Sequence, residues 1–317
     1  MIGRAINSVL RRFDFRVQCE STFLMAERKR FALQELLALA GSSLDEPAVL
    51  EGIVFSKDRP TQLHALLNSY RRHAADPVPL HTIYKATTAA YERAYREVFA
   101  CFDGALVRPI VQGDFRGDVV SLLENLKCSR IVFLVDDIVF LEPFAFADFL
   151  AFDPLKFIPT LRLGRGLTEC YTRSQPQSEP PYLHGVLDDP RLIVWRWKDG
   201  EHDYGFPLSV DGQIYSRREI AILAKHSQFS APNTFENALQ VFHDEFAERY
   251  ALAYSKARLV NVPLNRVQEE WDSRHAGMQA DTLLEAWGRG MQWNIAALDG
   301  YRNHSTHEEI EVHLVSR

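Results

Sequence analysis

The 317-residue sequence predicts an α/β protein: a mostly parallel sheet flanked by helices, with helical additions before and after it. Three observations predict this. From residue 51 to residue 135, short apolar runs alternate with segments of helical periodicity, the signature of parallel strands joined by crossover helices. Apolar residues make up 46% and charged residues 25% of the chain, a balance that suits a large folded core and rules out global disorder. No run reaches the ~18–20 apolar residues of a membrane span. The most apolar stretch, 131–152, carries Asp136, Asp137, Glu142 and Asp148.

Three regions follow: a helical N-terminal extension over 1–48, an α/β catalytic domain over 49–265, and a C-terminal extension over 266–317 that closes the active site. In the first, Ile2, Ile6, Val9, Leu10 and Phe13 recur at helical spacing, interleaved with Arg4, Arg11, Arg12 and Arg16. Two readings fit: a peripheral helix over 1–16 on an anionic membrane surface, or a helix packed on the domain or on a second copy of the chain. A second helix is expected over 23–40, ended by Gly41-Ser42-Ser43.

The alternating region then reads in order. Ile53-Val54-Phe55 is a strand. Leu63, Leu66, Leu67 and Tyr70 share one helix face. Leu80 to Lys85 is a second strand, and Tyr91, Tyr95, Val98, Phe99 and Phe102 mark the next helix. Leu106 to Val111 is a third strand, Val119 to Leu126 a helix, and Ile131 to Val135 a fourth strand. Residues 164–190, rich in Gly, Pro, Ser and Gln, read as a long loop covering the active site. Beyond it come a strand over 192–197, helices over 219–225, from Asn233, and over 283–287, and a last strand over 310–315.

Charge narrows the function. The net charge of −6 and pI near 6.0 lack the basic excess of a nucleic-acid binder. Cys19, Cys101, Cys128 and Cys170 lie far apart, with no CxxC pair. They read as buried free thiols of a reducing compartment. The first residues lack the apolar core of a signal peptide. A cytoplasmic protein, at most peripheral on the inner membrane face, is expected.

Three constellations could carry chemistry. Asp136 and Asp137 end the fourth strand, and a parallel sheet offers that edge to ligands. Adjacent carboxylates repel and call for a cation or donors between them; a divalent ion shared with a diphosphate is one answer, a helix N-cap pair another. Ser56-Lys57-Asp58-Arg59-Pro60 closes the first strand, where Asp58 could meet base or ribose, Arg59 phosphate, or both could start a helix. Last come Ser209-Val210-Asp211-Gly212-Gln213 and Pro232-Asn233-Thr234-Phe235-Glu236-Asn237. Glu236 is expected to open a helix whose dipole keeps it ionised for taking a proton from a hydroxyl. Capping is its alternative role, and Asp211 is the rival base.

FSKDRPTQL, the Asp-Asp strand end, SVDGQIYSRRE, the FEN step and a late histidine follow the order of nucleotide-sugar-dependent glycosyltransferases of the A-type (GT-A) fold. LRLGRGLTECY, DYGFPLSVDG, PNTFE and VPLNRVQ resemble an uncharacterised bacterial branch of that group, over roughly residues 50–315. The resemblance implies that Ser56, Asp58 and Arg59 line a nucleotide pocket. It sets Asp136 and Asp137 at the Asp-x-Asp site, with Mn²⁺ or Mg²⁺ on Asp137 and His307. It makes Glu236 the base of an inverting transfer to a glycan or other hydroxyl acceptor. The chain departs from the pattern twice: Ile138 stands at the third Asp-x-Asp position, where it cannot bind metal, and Asn237 follows Glu236. Without metal, Lys85, Arg116 and Arg162 are candidate diphosphate clamps. Trp195, Trp197, Tyr204 and Phe206 are candidates for stacking on an acceptor sugar. Two competing readings are a sugar nucleotidyltransferase, although no Gly-rich phosphate loop follows Phe55, and a catalytically degenerate sugar- or nucleotide-binding protein.

Overall fold

A computed structural model describes residues 20–41, 47–265, 277 and 279–317. The amphipathic segment over 1–16, Cys19 and the expected Ser42-Ser43 helix stop lie outside them.

Four parallel strands form the centre: β1 (Leu50–Lys57), β2 (Leu80–Lys85), β3 (Val107–Val111) and β4 (Arg130–Val135). The short β10 (Ile214–Ser216) adds an antiparallel edge, giving the order β10-β4-β1-β2-β3. Between β1 and β2 runs α2 (Pro60–His73), between β2 and β3 runs α3 (Ala89–Ala100), and between β3 and β4 runs α4 (Phe115–Asn125). The expected mostly parallel sheet with helices on both faces is therefore present.

Period-two alternation sorts the core. Val54, Val132 and Leu134 pack with Leu63, Leu66 and Tyr70 of α2 and with Tyr95 and Val98 of α3. Ile53, Phe55, Ile131 and Phe133 face the other way, onto Val119 and Leu123 of α4 and onto Ile220 and Leu223 of α6 (Arg217–His226). Both strand faces are covered, so the strands read as continuous apolar runs. Each such side chain contributes roughly 1.5–3 kcal/mol on burial. Gly52 sits where β1 and β2 approach closely: a Cβ there would lie 2.3 Å from Leu80 Cδ2.

The rest of the chain extends this platform. β5 (Ile138–Phe140) pairs antiparallel with β12 (Leu259–Asn261). β6 (Phe157–Thr160), β11 (Tyr250–Tyr254) and β9 (Leu192–Arg196) make a second sheet. Within the expected loop over 164–190, β7 (Glu169–Cys170) and β8 (Gln175–Pro176) form a small hairpin. The last strand, β14 (Leu314–Ser316), starts later than the sequence suggests and pairs with β13 (Met291–Trp293). The preceding residues instead follow β12, where His307 bridges Asn261.

Helix α1 (Glu20–Ala40) docks on α6. Ala32 is buried there, Lys29 donates to Val241 O at 2.7 Å, and Glu35 pairs with Lys225 at 3.0 Å. Its outer side leaves Phe23, Leu24, Phe31 and Leu37 exposed. No helix among the described residues is long and apolar enough to cross a membrane. Cys128 and Cys170 are buried as expected, but Cys101, on the α3 C-cap, is exposed.

Candidate active site

In the order β3-β2-β1-β4 the chain reverses direction of travel between β1 and β4. The carboxyl ends of strands at such a switch point frame a ligand crevice. The ends here are Ser56–Arg59 and Asp136–Asp137, and a cavity of about 780 Å³ opens over them. Ser56, Arg59, Lys85, Asp136, Asp137, Arg162, Phe206, Asp211, Glu236 and His307 all line it. Residues scattered over 250 positions of sequence thus meet in one cleft, as the Asp-Asp, SVDG, FEN and late-histidine segments led one to expect.

Six of the sequence candidates lie elsewhere or are engaged otherwise. Asp58 accepts from the Thr87 N–H at 2.8 Å and from Thr87 Oγ1 at 2.9 Å, and is not in the cavity wall. It clasps the β2–α3 turn and holds its own backbone at φ +52°. Arg116 reaches the wrong side for a phosphate clamp: it donates to Ser227 O and Lys225 O and lies over Phe229. Trp195, Trp197 and Tyr204 are fully buried core residues, packed on one another rather than open to a sugar. Arg162 is in the wall but buried, bonded to Asp203 (2.8 Å), Ser209 (3.0 Å) and Asp211 (3.2 Å). It orients acids instead of standing ready for a ligand.

The acid pair is densely bonded. Asp136 Oδ2 accepts from Ser56 Oγ at 2.9 Å and from the Lys57 N–H at 3.2 Å, and Oδ1 from Arg59 Nη1 at 3.0 Å. Asp137 Oδ2 lies 3.4 Å from the same Nη1, and Oδ1 accepts from Asn261 Nδ2 at 3.2 Å. Burial outweighs the Arg59 attraction and pushes Asp136 up to about 6; Asp137 is also raised, first by burial.

Across the cleft, Glu236 lies in the second turn of α7 (Pro232–Leu239), not at its opening. Its Oε1 accepts from the Val210 N–H at 3.1 Å. The helix dipole does not hold it ionised: burial, and then the neighbouring Asp211 charge, raise it to about 7. Asp211 sits between Arg162 and His307, whose Nε2 is 3.8 Å away. A hydrogen-bond chain fixes the state of that histidine. Thr306 Oγ1 gives its only proton to Asp203 at 3.1 Å, so at 3.1 Å it must accept from His307 Nδ1–H. That places a proton on Nδ1 and leaves Nε2 turned toward Asp211 in the cleft.

The divalent ion expected on Asp137 and His307 finds an incomplete ligand set. Among the described residues no three His, Cys, Asp or Glu side chains are placed to hold an ion together. Ile138 is fully buried in β5, and both Asp136 oxygens already accept hydrogen bonds.

The sequence reading missed other wall residues. Tyr171–Arg173 is a single 3-10 turn between β7 and β8, ended by Ser174 at φ +50°; His202, also in the wall, has φ +47°. Tyr171 stacks on His307 at 16° and donates to Glu309 at 2.7 Å. Asn261 and Asn265 reach in from β12 and beyond it. Asn265 lies in the VPLNRVQ stretch, but nothing in its local pattern marks it as a partner of Arg59. Lys85 and Arg173 face the cavity with no partner among the described residues.

No protein-family model matches the chain. No curated protein matches it. Among solved structures it is similar to the bifunctional glycosyltransferase WbbM in its apo form: 11% identity, TM-score 0.36, over 66% of this chain and 39% of that one. It is similar to the galactosyltransferase LgtC in complex with donor and acceptor sugar analogs: 13% identity, TM-score 0.36, over 75% of this chain and 95% of that one. A nucleotidyl transferase from Methanothermobacter is similar at 11% identity and TM-score 0.36, over 66% and 88% of the two chains.

Proposed function

We propose that the cleft is a GT-A-type glycosyltransferase site, moving a sugar from a nucleoside-diphosphate donor to a hydroxyl of a glycan or similar acceptor. The observation that carries this is the meeting of Asp136 and Asp137, at the β1/β4 switch point, with Glu236 and Asp211 in one cavity. One acid pair lies where a diphosphate would be organised. A second lies where an incoming hydroxyl would lose its proton. Lys85 and Arg173, without a partner among the described residues, supply positive charge for phosphate oxygens.

In the reaction the acceptor oxygen attacks the anomeric carbon as the bond from that carbon to the diphosphate oxygen breaks. The leaving diphosphate takes the electron pair, and the acceptor proton passes to Glu236. Attack from the face opposite the leaving group inverts the anomeric centre. Glu236 must be ionised first, and an affinity raised to about 7 suits a base working near neutrality. The Arg162 bonds to Asp203 and Asp211 keep the neighbouring acids in place.

A thermal-shift panel of nucleoside diphosphates and their sugar conjugates tests the reading. One base should raise Tm, because ligand binding to the folded state alone is stabilising, and its sugar conjugate should be turned over with an acceptor. No shift with any compound rejects the donor site. A shift without turnover over a broad acceptor set points to a degenerate binding protein. Pyrophosphate release from a nucleoside triphosphate and a sugar phosphate points to nucleotidyl transfer.

A further inference from the structure

Adjacent carboxylates need a cation, and this chain provides one of its own. Arg59 Nη1 lies 3.0 Å from Asp136 Oδ1 and 3.4 Å from Asp137 Oδ2, bridging the pair. The side chain is only 12% exposed. It is anchored at both ends. At the base, Arg59 is the N-cap of α2, followed by Pro60, and its N–H donates to Tyr95 OH at 3.0 Å. At the tip, Nε donates to Asn265 Oδ1 at 2.7 Å and Nη2 to the Asn265 carbonyl. A guanidinium keeps its charge at every working pH, and its planar fork suits two oxygens at once.

A divalent ion would have to take the same place. Mg²⁺ requires near-octahedral oxygen ligands at about 2.1 Å, and the Asp136 oxygens already serve Ser56, Lys57 and Arg59. Where a third acid would help, Ile138 is paired with Asn261 in the β5–β12 ladder.

We propose that Arg59 is the resident cation of the Asp136–Asp137 pair, excluding a divalent ion, so that the diphosphate is met by Lys85 and Arg173 rather than by metal. Only the diphosphate clause rests on the donor reading above; the exclusion of the ion stands without it.

The test is Mn²⁺ binding followed by electron paramagnetic resonance on the full chain, without nucleotide. The wild type should leave the signal of free aqueous Mn²⁺ unchanged. Arg59→Met keeps bulk but removes charge, and should create saturable binding that a further Asp137→Asn abolishes. If Arg59→Met does not fold, Asn265→Ala, which removes the Oδ1 anchor of the guanidinium and leaves only the backbone one, should admit Mn²⁺ weakly. Saturable binding to the wild type that Asp137→Asn removes overturns the proposal. So does a folded Arg59→Met that binds no Mn²⁺. Nucleoside diphosphate shifts in Tm should persist in EDTA, and their loss there also overturns it. A protein that no nucleoside diphosphate shifts, with or without Mn²⁺, has failed the donor reading, and the Mn²⁺ titration still decides on Arg59.

Discussion

Glu236 shows how one residue can carry opposite demands of stability and chemistry. Its folded affinity for protons, raised to about 7, stands above the ordinary value of 4.5. Protonation therefore favours the folded state. That contribution is whole below about pH 4.5 and is lost as pH rises through about 7. Activity runs the other way, since the base must be ionised. We expect kcat/KM to climb through an apparent pKa near 7 as Glu236 ionises. Glu236→Gln should lower turnover by a factor on the order of 10²–10⁴ while leaving nucleoside diphosphate binding nearly unchanged. Its Tm should gain on the wild type as pH rises from 4.5 to 8. A variant with normal turnover, alongside an inactive Asp211→Asn, would move the base to Asp211.

At the scale of elements, the turn between Ser209 and β10 is held by Gly212. Its φ of +87° suits glycine, and an added Cβ would come within 2.7 Å of Leu259 Cδ2. The turn is tied on both sides, by the Gly212 N–H to Phe133 O at 2.8 Å and by the Leu161 N–H to Gly212 O at 3.0 Å. Gly212→Ala should cost roughly 1–3 kcal/mol in urea unfolding. It should also reduce turnover, because Asp211 rides on the same turn. Wild-type stability in that variant would show the turn to be slack. This turn also shows what sequence can reveal. The strands and helices of 50–135 were legible because local periodicity decides them. The Ser-Val-Asp-Gly turn stood out as a backbone-open segment carrying an acid, and Asp211 does line the cavity. The surroundings of Asp58 and Glu236 were not legible: the structure leaves Asp58 out of the cavity wall and buries Glu236 in the second turn of its helix. The Thr87 clasp on one and the burial of the other arise from distant segments. Trp195 and Trp197 were ambiguous because local spacing does not reveal that the surface they share is packed against core rather than open to a ligand.

For the whole molecule, sheet order is what makes a site of scattered motifs. Among the described residues, the three non-glycine positions with positive φ, Asp58, Ser174 and His202, all lie in or beside the cavity. Such positions persist only where the surrounding structure over-determines them. The frame that imposes this is the central sheet, whose strands are joined by local crossovers. The cleft rim is assembled from remote pieces: the β7–β8 hairpin and the stretch 303–309.

That assembly has a consequence for how the protein breathes. The stretch 304–309 is tied by individual bonds rather than by a long ladder, among them Asn261 N–H to Thr306 O at 2.9 Å, Glu308 N–H to Asn261 O at 3.0 Å, Glu169 N–H to His304 O at 3.1 Å, Tyr171 N–H to Ser305 Oγ at 3.1 Å, Thr306 Oγ1 to Asp203 at 3.1 Å and Tyr171 OH to Glu309 at 2.7 Å. β1, by contrast, is laddered on both sides, to β2 and β4, and buried on both faces. Segments outside the main ladders open by themselves, at a fraction of the free energy that unfolds the core. In hydrogen–deuterium exchange, amides of β1 and β4 should exchange only through global unfolding. Those of 304–309 and of the β7–β8 hairpin should exchange sooner and together, since each is bonded to the other. Equal protection in both places would mean that the rim is part of the core's cooperative unit. Unequal protection means that His307 and Tyr171 leave and return as a pair, and that the cleft opens along the seam they share.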